Sequence, residues 1–503
     1  MRDTLDLQPA PPTAAEDPAS PAVPVIAWWR RPALIAVVAG LAAAWLVPLG
    51  AQLLRVDWIL PPLILLGVAS LLQTRGSLLD RLLLALFLLL AATAAAGLVL
   101  TVWPWHLRPV PAAGTALSAL VLLAVLLRRR PSLPLRVPGA DRVILALTAL
   151  ATGSMLWPFR NLDRADRLGM QAAGGDLASH FSIVDGIRYF GGYLFMRDKA
   201  QTGASIWEGL RSYPQGLHMV GALLTNFVDS TDGSPSTLRG LDAFVWFAPG
   251  TYILFCLCVL WAMRRLAGPG VRALAFLPVG GLVTAYLLWS DSILMMWMGY
   301  WPEIAALAEF AVLVAVLARP LSRVREQVMV VAALLASICF TYYLMLPVAA
   351  VLTLVWLLWH RRAVLKARWY TLAVLVVGTG FAAVMPVVSL TAVSASDRLL
   401  TGGSIPVPQA RMLTTFALLA VAGYALTWSR RSPAWWLGML PVPLSVGLVG
   451  LVGLYQVHGQ GQVGYYYYKA VHVALLAFLL GLAPLSRLVS PYLARAARIP
   501  ARR

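Results

Sequence analysis

Uninterrupted apolar runs of roughly 17 to 23 residues recur from one end of the chain to the other, and nothing constrains its fold more. A helix rising about 1.5 Å per residue needs about 20 such residues to cross about 30 Å of hydrocarbon. Inside a bilayer every backbone polar group must find its partner within the protein, so a spanning segment is either a helix or a strand of a closed barrel. A barrel would need strands of about ten residues that alternate apolar and polar side chains. The run Leu82 to Leu100 does not alternate. Hydrophobic residues make up 60% of the chain and charged ones 12%, against about 45–50% and about 25% in soluble domains. The class expected is therefore an all-α polytopic membrane protein, in contact with the lipid bilayer.

About fourteen transmembrane helices are expected. They lie over 33–53, 57–73, 82–103, 112–127, 141–158, 241–263, 272–289, 303–318, 326–340, 342–359, 369–391, 411–428, 434–455 and 466–487. Arginine and lysine gather in every second connection, at Arg30/Arg31, Arg75/Arg81, Arg128 to Arg130, Arg264/Arg265/Arg272, Arg319/Arg323/Arg325, Arg361/Arg362/Lys366/Arg368 and Arg430/Arg431. Positive charge marks cytoplasmic loops, which predicts a multi-pass plasma-membrane protein with both termini cytoplasmic. The formal charge of +19 then reports topology, and no nucleic-acid partner is expected. Counting 213–228 as a full span would put the Arg264 cluster outside, so that segment reads as re-entrant or interfacial.

The expected organisation is a disordered cytoplasmic tail over 1–30, an N-terminal transmembrane module over 31–158, an outer acidic loop with interfacial and re-entrant helices over 159–240, a C-terminal transmembrane module over 241–490, and a basic cytoplasmic tail over 491–503. No cleavable signal is expected before the first span. The three cysteines, Cys256, Cys258 and Cys339, all fall inside apolar spans, so neither a disulfide framework nor a metal-binding cysteine pair is implied.

The distinctive polar residues lie in the outer connections. Gly174-Gly175-Asp176 opens a stretch in which Asp176 and His180 stand four apart, on one face of a helix. That spacing presents a carboxylate to a cavity, or else Asp176 simply caps the helix. Ile183, Ile187 and Phe190 give the same helix an apolar stripe, expected to lie flat on the outer membrane surface. Tyr213-Pro214-Gln215-Gly216-Leu217-His218 follows, with Tyr213 and His218 placed to line a sugar or phosphate site, or to anchor the chain at the interface.

Glu303 opens a membrane helix after Trp297, Tyr300 and Trp301. A helix amino terminus favours an anion, but an acid at a membrane helix is also a functional candidate. Four tyrosines, Tyr465 to Tyr468, precede Lys469 and His472. Only three of the 40 basic residues are lysines, which singles out Lys469 as a compact charge for a lipid phosphate, with snorkelling as the plainer alternative. Tyr468 and His472 are binding candidates beside it. Arg398 and Arg411 flank Thr401-Gly402-Gly403-Ser404, a loop able to close over a substrate. No Walker A, dinucleotide-binding or HExxH pattern occurs, and a serine nucleophile elbow is also missing.

Many helices, an acidic outer loop with a surface helix and a phosphate-binding candidate near a late helix together resemble the GT-C superfamily of membrane glycosyltransferases. The closest likeness lies in Asp176 to His180 followed by Tyr213-Pro214-Gln215-Gly216-Leu217-His218, which looks like the Asp loop and Tyr-Pro-x-Gly-x-His pattern of actinobacterial members. It is similar more loosely to the actinobacterial arabinofuranosyltransferases. Five helices precede the acidic loop here, whereas superfamily members usually place that loop directly after the first.

The resemblance implies an enzyme that moves a sugar from a polyprenyl-phosphate donor to a glycan or lipid acceptor of the cell envelope, at a site facing outside. It implies Asp176 as base, Lys469 with Arg398 on the departing phosphate, and His180, Tyr213, His218 and Glu303 on sugar hydroxyls. It leaves open whether a divalent cation joins Asp176. No metal ligands are assigned. The alternatives are a lipid-linked oligosaccharide flippase or polymerase, which predicts a charged central cavity, and a non-catalytic envelope scaffold, which predicts replaceable outer polar residues.

Overall fold

The structure, a computed structural model, describes residues 30–203, 206, 208–231, 236–427 and 432–489. The tails over 1–29 and 491–503 and the Arg430/Arg431 pair fall outside these residues. The described chain is helical throughout, with no strand. Helices of twelve or more residues are α1 (Arg30–Leu54), α2 (Leu60–Leu71), α3 (Leu78–Val102), α4 (Pro109–Leu126), α5 (Gly139–Leu156), α6 (Leu177–Phe190), α7 (Gly216–Asp229) and α8 (Phe247–Ala267). They continue as α9 (Ala273–Trp289), α10 (Trp301–Ala318), α11 (Val324–Thr341), α12 (Leu346–Trp359), α13 (Arg368–Ala392), α14 (Ala410–Leu426), α15 (Pro441–Gln460) and α16 (Tyr465–Gly481).

Ten helical segments among the described residues are long and apolar enough to cross a membrane, and eleven if Ala273–Trp289 and Asp291–Trp297, bent by 59°, form one span. Three other expected spans are the shorter apolar helices Asp57–Leu71, Tyr343–Trp359 and Ala410–Leu426. The chain is thus a multi-pass membrane-embedded protein with ten or eleven spans by length.

At its centre stands α10, every residue of which is buried. Ala305, Ala306, Ala308, Ala311 and Ala315 give it a narrow profile, and small side chains let neighbouring membrane helices approach closely. It packs against α8, α11, α12 and α16. By contrast α1, α4 and α13 are mostly exposed, as lipid-facing helices would be.

The arginine-rich end is held by buried ion pairs. Ser77 and Asp80 form a reciprocal capping box at the start of α3. Asp80 Oδ1 also accepts from Trp261 Nε1 at 2.8 Å and from Arg264, whose Nε lies 3.3 Å from Asp141. One arginine on α8 therefore joins α3 and α5.

The segment 159–240 departs from expectation. The stripe Ile183, Val184 and Ile187 of α6 is fully buried in the protein core, so it does not lie on a membrane surface. Arg188 on the same helix is buried too, donating to Asn226 Oδ1 at 2.9 Å and Asp229 Oδ2 at 2.6 Å. An amphipathic stripe says that something apolar covers it, and here α7 and the core do so. Helix α7 is itself enclosed, with Met219 and Ala222 fully buried and α3 and α6 alongside.

Candidate functional site

The polar residues converge at the end of the bundle opposite the arginines. The turn carrying Asp176 reaches it by close backbone contact. A β-carbon on Gly174 would come within 3.0 Å of the Trp297 carbonyl oxygen, and one on Gly299 within 2.4 Å of the Leu177 nitrogen. Gly175 and Gly299 adopt φ of +54° and +86°, where glycine alone is unstrained. The Asp176 N–H donates to the Met298 carbonyl at 3.2 Å. The two loops are thereby pressed together through their glycines.

Gly299→Ala should lower the melting temperature of the purified protein, because strain at such a φ costs about 1–3 kcal/mol before the clash is counted. Gly281→Ala, where a β-carbon meets nothing within 4 Å, should leave it unchanged. Equal melting of the two variants would disprove the close approach.

Asp176 occupies the N-cap position of α6 without making a side-chain capping bond. Capping does not account for it. Its carboxylate faces the Tyr465 hydroxyl across a long 3.5 Å contact. Burial raises its pKa, against the opposing pull of Lys469 and Tyr465. His180, one turn on, lies 3.0 Å from His218, Nδ1 to Nε2, and both are buried. Burial lowers both imidazoles, His218 to about 3, so the pair is neutral and one ring donates its N–H to the other's bare nitrogen. Tyr213 and Trp301 pack edge-on against both rings.

The other residues of the Tyr213–His218 stretch have fixed tasks. Gln215, fully buried, accepts from the Leu194 N–H at 2.9 Å and donates to the Arg211 carbonyl at 2.8 Å. Gly216 lies where a β-carbon would meet the Phe340 β-carbon at 2.6 Å. Those two positions hold the segment in place, and His218 carries its link to α6.

Lys469 is not the open cation expected. Its ammonium lies 3.2 Å from Glu303 Oε2, and the two side chains are 4% and 2% exposed. A bare ammonium so deeply buried would cost several kcal/mol, and the carboxylate offsets that cost. Four rings surround the ammonium, those of Tyr465 at 4.4 Å, Tyr342 at 4.6 Å, Tyr300 at 4.9 Å and Tyr466 at 5.8 Å. Glu303 Oε1 meets His472 Nδ1 at 3.0 Å. Both Glu303 oxygens are therefore engaged, which leaves it poorly placed for the expected role on sugar hydroxyls. Lys469 and His472, three apart on α16, grip one carboxylate at the first turn of α10.

Helical spacing decides which tyrosines take part. Tyr465 and Tyr466 stand four and three residues before Lys469 and share its face. Tyr468 stands one residue before it and turns away, its ring packed on Tyr467 at 5.2 Å. The residues at Lys469's side are thus Tyr465 and Tyr466, in place of the expected Tyr468. Tyr300, read only as part of an aromatic stretch before Glu303, and Tyr342, read only as the first residue of a span, also face the Lys469 ammonium. Glu309, deep in α10 and bonded by the hydroxyls of Ser337 at 2.6 Å and Thr341 at 3.2 Å, had a legible signal as an acid within an apolar run.

The segment 401–408 lies across this cluster. His472 Nε2 meets the Pro406 carbonyl at 3.0 Å, the Tyr300 hydroxyl donates to the Ser404 carbonyl, and a β-carbon on Gly403 would come within 2.8 Å of the Tyr465 ring. Beside it, Tyr213, Tyr342, Tyr343, Tyr466, Leu390 and Arg398 line a pocket of about 150 Å³. Arg398 donates to the Ser389 carbonyl at 3.2 Å, while its Nε is buried without a partner. One helical turn away along α11 and α13, an apolar groove of about 400 Å³ runs between α11, α12 and α13 past Leu335, Cys339, Leu346, Val374, Ala382 and Pro386. Among the described residues no three His, Cys, Asp or Glu side chains gather as metal ligands.

No known family, no characterised protein and no solved structure matches this chain.

Proposed function

We propose that this chain is a glycosyltransferase of the GT-C kind, with about fourteen spans, both termini in the cytoplasm and its site on the outer face of the plasma membrane. It moves a sugar from a polyprenyl-phosphate donor to a glycan or lipid acceptor of the cell envelope. The observation that carries this reading is the half-buried Asp176 carboxylate facing Tyr465, whose neighbour Tyr466 lines a pocket with other tyrosines and Arg398, and an apolar groove one turn along from that pocket. A lipid-linked phosphate needs that combination of a polar head site and an apolar tail path.

In the reaction, an acceptor hydroxyl oxygen forms a bond to the anomeric carbon while the bond from that carbon to the phosphate oxygen breaks. The electron pair leaves with the lipid phosphate. Asp176 takes the acceptor proton, a role favoured by its raised pKa. Arg398, with an unpartnered Nε on the pocket wall, takes the phosphate charge that develops in the transition state. Lys469, already compensated by Glu303, braces the ends of α10 and α16. Tyr213 lines the pocket and packs on the His180–His218 pair, one turn beyond Asp176 on α6. A divalent cation at Asp176 belongs to the same reading only as a further option, because Glu303 is already occupied.

The test uses the purified protein in lipid nanodiscs, with a radiolabelled polyprenyl-phosphate sugar pool and a membrane fraction as acceptor. Label is expected to move into the acceptor. If it stays on the lipid, and the lipid instead exchanges between leaflets of protein-containing vesicles, a flippase is at hand and the transferase reading fails.

A further inference from the structure

At the opposite end of the bundle, a cleft of about 830 Å³ is lined by Arg129, Arg323, Arg325, Arg362 and Lys366, with Glu326 at its base. These cations come from three connections far apart in sequence: the one after α4, the one leading into α11, and the one between α12 and α13. We propose that this cleft binds a phosphate-bearing anion, at a site separate from the one that holds Asp176.

The pairing at this end of the molecule supports that assignment. Several arginines there are matched internally. Arg264 sits between Asp80 and Asp141, Arg265 donates to the Arg319 carbonyl, and Arg487 donates to the Ala267 carbonyl at 2.6 Å. In the cleft the single carboxylate is already paired through one oxygen, Glu326 Oε1 meeting Arg129 Nη1 and the Gln73 N–H, each at 3.0 Å, while its Oε2 is buried without a hydrogen-bond partner. Arg325 lies over the Tyr370 ring at 5.7 Å, and Arg323, Arg362 and Lys366 form no ion pair among the described residues.

Topology alone requires positive residues near helix ends. It does not require them to surround one cavity with a net excess of charge. Such a cavity between membrane helices suits a phosphate group, which arginine meets through paired N–H donors. The phosphate belongs either to an anionic lipid headgroup entering from the bilayer or to a soluble polyphosphate.

Two arms separate those sources, using the full chain in phosphatidylcholine nanodiscs. In one, inorganic pyrophosphate is titrated by calorimetry. In the other, phosphatidylglycerol is mixed into the discs and retained lipid is counted by native mass spectrometry. Wild type is expected to bind in at least one arm. The triple variant Arg323→Gln/Arg362→Gln/Lys366→Gln should weaken that binding on the order of a hundredfold, since each surface cation contributes about a factor of five. Arg272→Gln, an exposed arginine at the same end but outside the cleft, should bind like wild type. Unliganded melting temperatures verify that each variant folds. Binding by the triple variant at wild-type strength, or binding by wild type in neither arm, would overturn the proposal.

Discussion

Asp176→Asn should fold as wild type does and transfer sugar about 10²- to 10⁴-fold more slowly, the range a positioned general base contributes. Folding should survive because the backbone at 176 makes the local bonds. Its N–H donates to Met298 and its carbonyl accepts from His180, while the side chain caps nothing. Asparagine keeps that shape and removes the proton acceptor. The pH profile carries a second signature. Burial raises the Asp176 pKa, so the ionised base is lost, as pH falls, earlier than for an ordinary aspartate. Wild-type transfer should fall on the acid side at that raised value, and the residual activity of the variant should not follow it. Equal rates for the two proteins would remove Asp176 from the chemistry.

Lys469→Met should destabilise the protein by about 3–5 kcal/mol, because it leaves the Glu303 carboxylate buried with His472 alone. Glu303→Gln should cost a similar amount by stranding the ammonium among its four tyrosines. The double variant should be more stable than the sum of the two losses allows, since neither charge is then orphaned. Denaturant midpoints of the three proteins in detergent decide the matter. Strict additivity would mean that the two groups do not depend on each other.

How much of this was legible beforehand follows the range of each signal. Apolar length is local and repeated, so each expected span coincides with a helix. Length alone left four of them short or bent, and the count of crossings does not follow from it. Asp176 and His180 share a face through a four-residue spacing, and His218 joins them from only 38 residues away. The pairing of Glu303 with Lys469 spans most of the second half of the chain, and no periodicity connects them. Read separately, each looked like an independent binding group. Tyr468 was selected for standing next to Lys469 in sequence, whereas the helix turn brings Tyr465 and Tyr466 to its side. The stripe on α6 was legible as apolar, but pattern alone does not distinguish lipid from protein as its cover.

The complete enclosure of α10 also sets an order in time. Its two carboxylates wait for partners that the ribosome has not yet made. Glu309 waits for Ser337 and Thr341 on the following helix, a short delay. Glu303 waits for Lys469, 166 residues later, which at about 5–20 residues per second is roughly ten to thirty seconds of synthesis. Until α16 arrives, an acid at the mouth of the central helix has neither counter-ion nor imidazole. A nascent chain stalled before that helix would therefore display an unmatched charge to the bilayer, a mark by which an unfinished copy differs from a finished one.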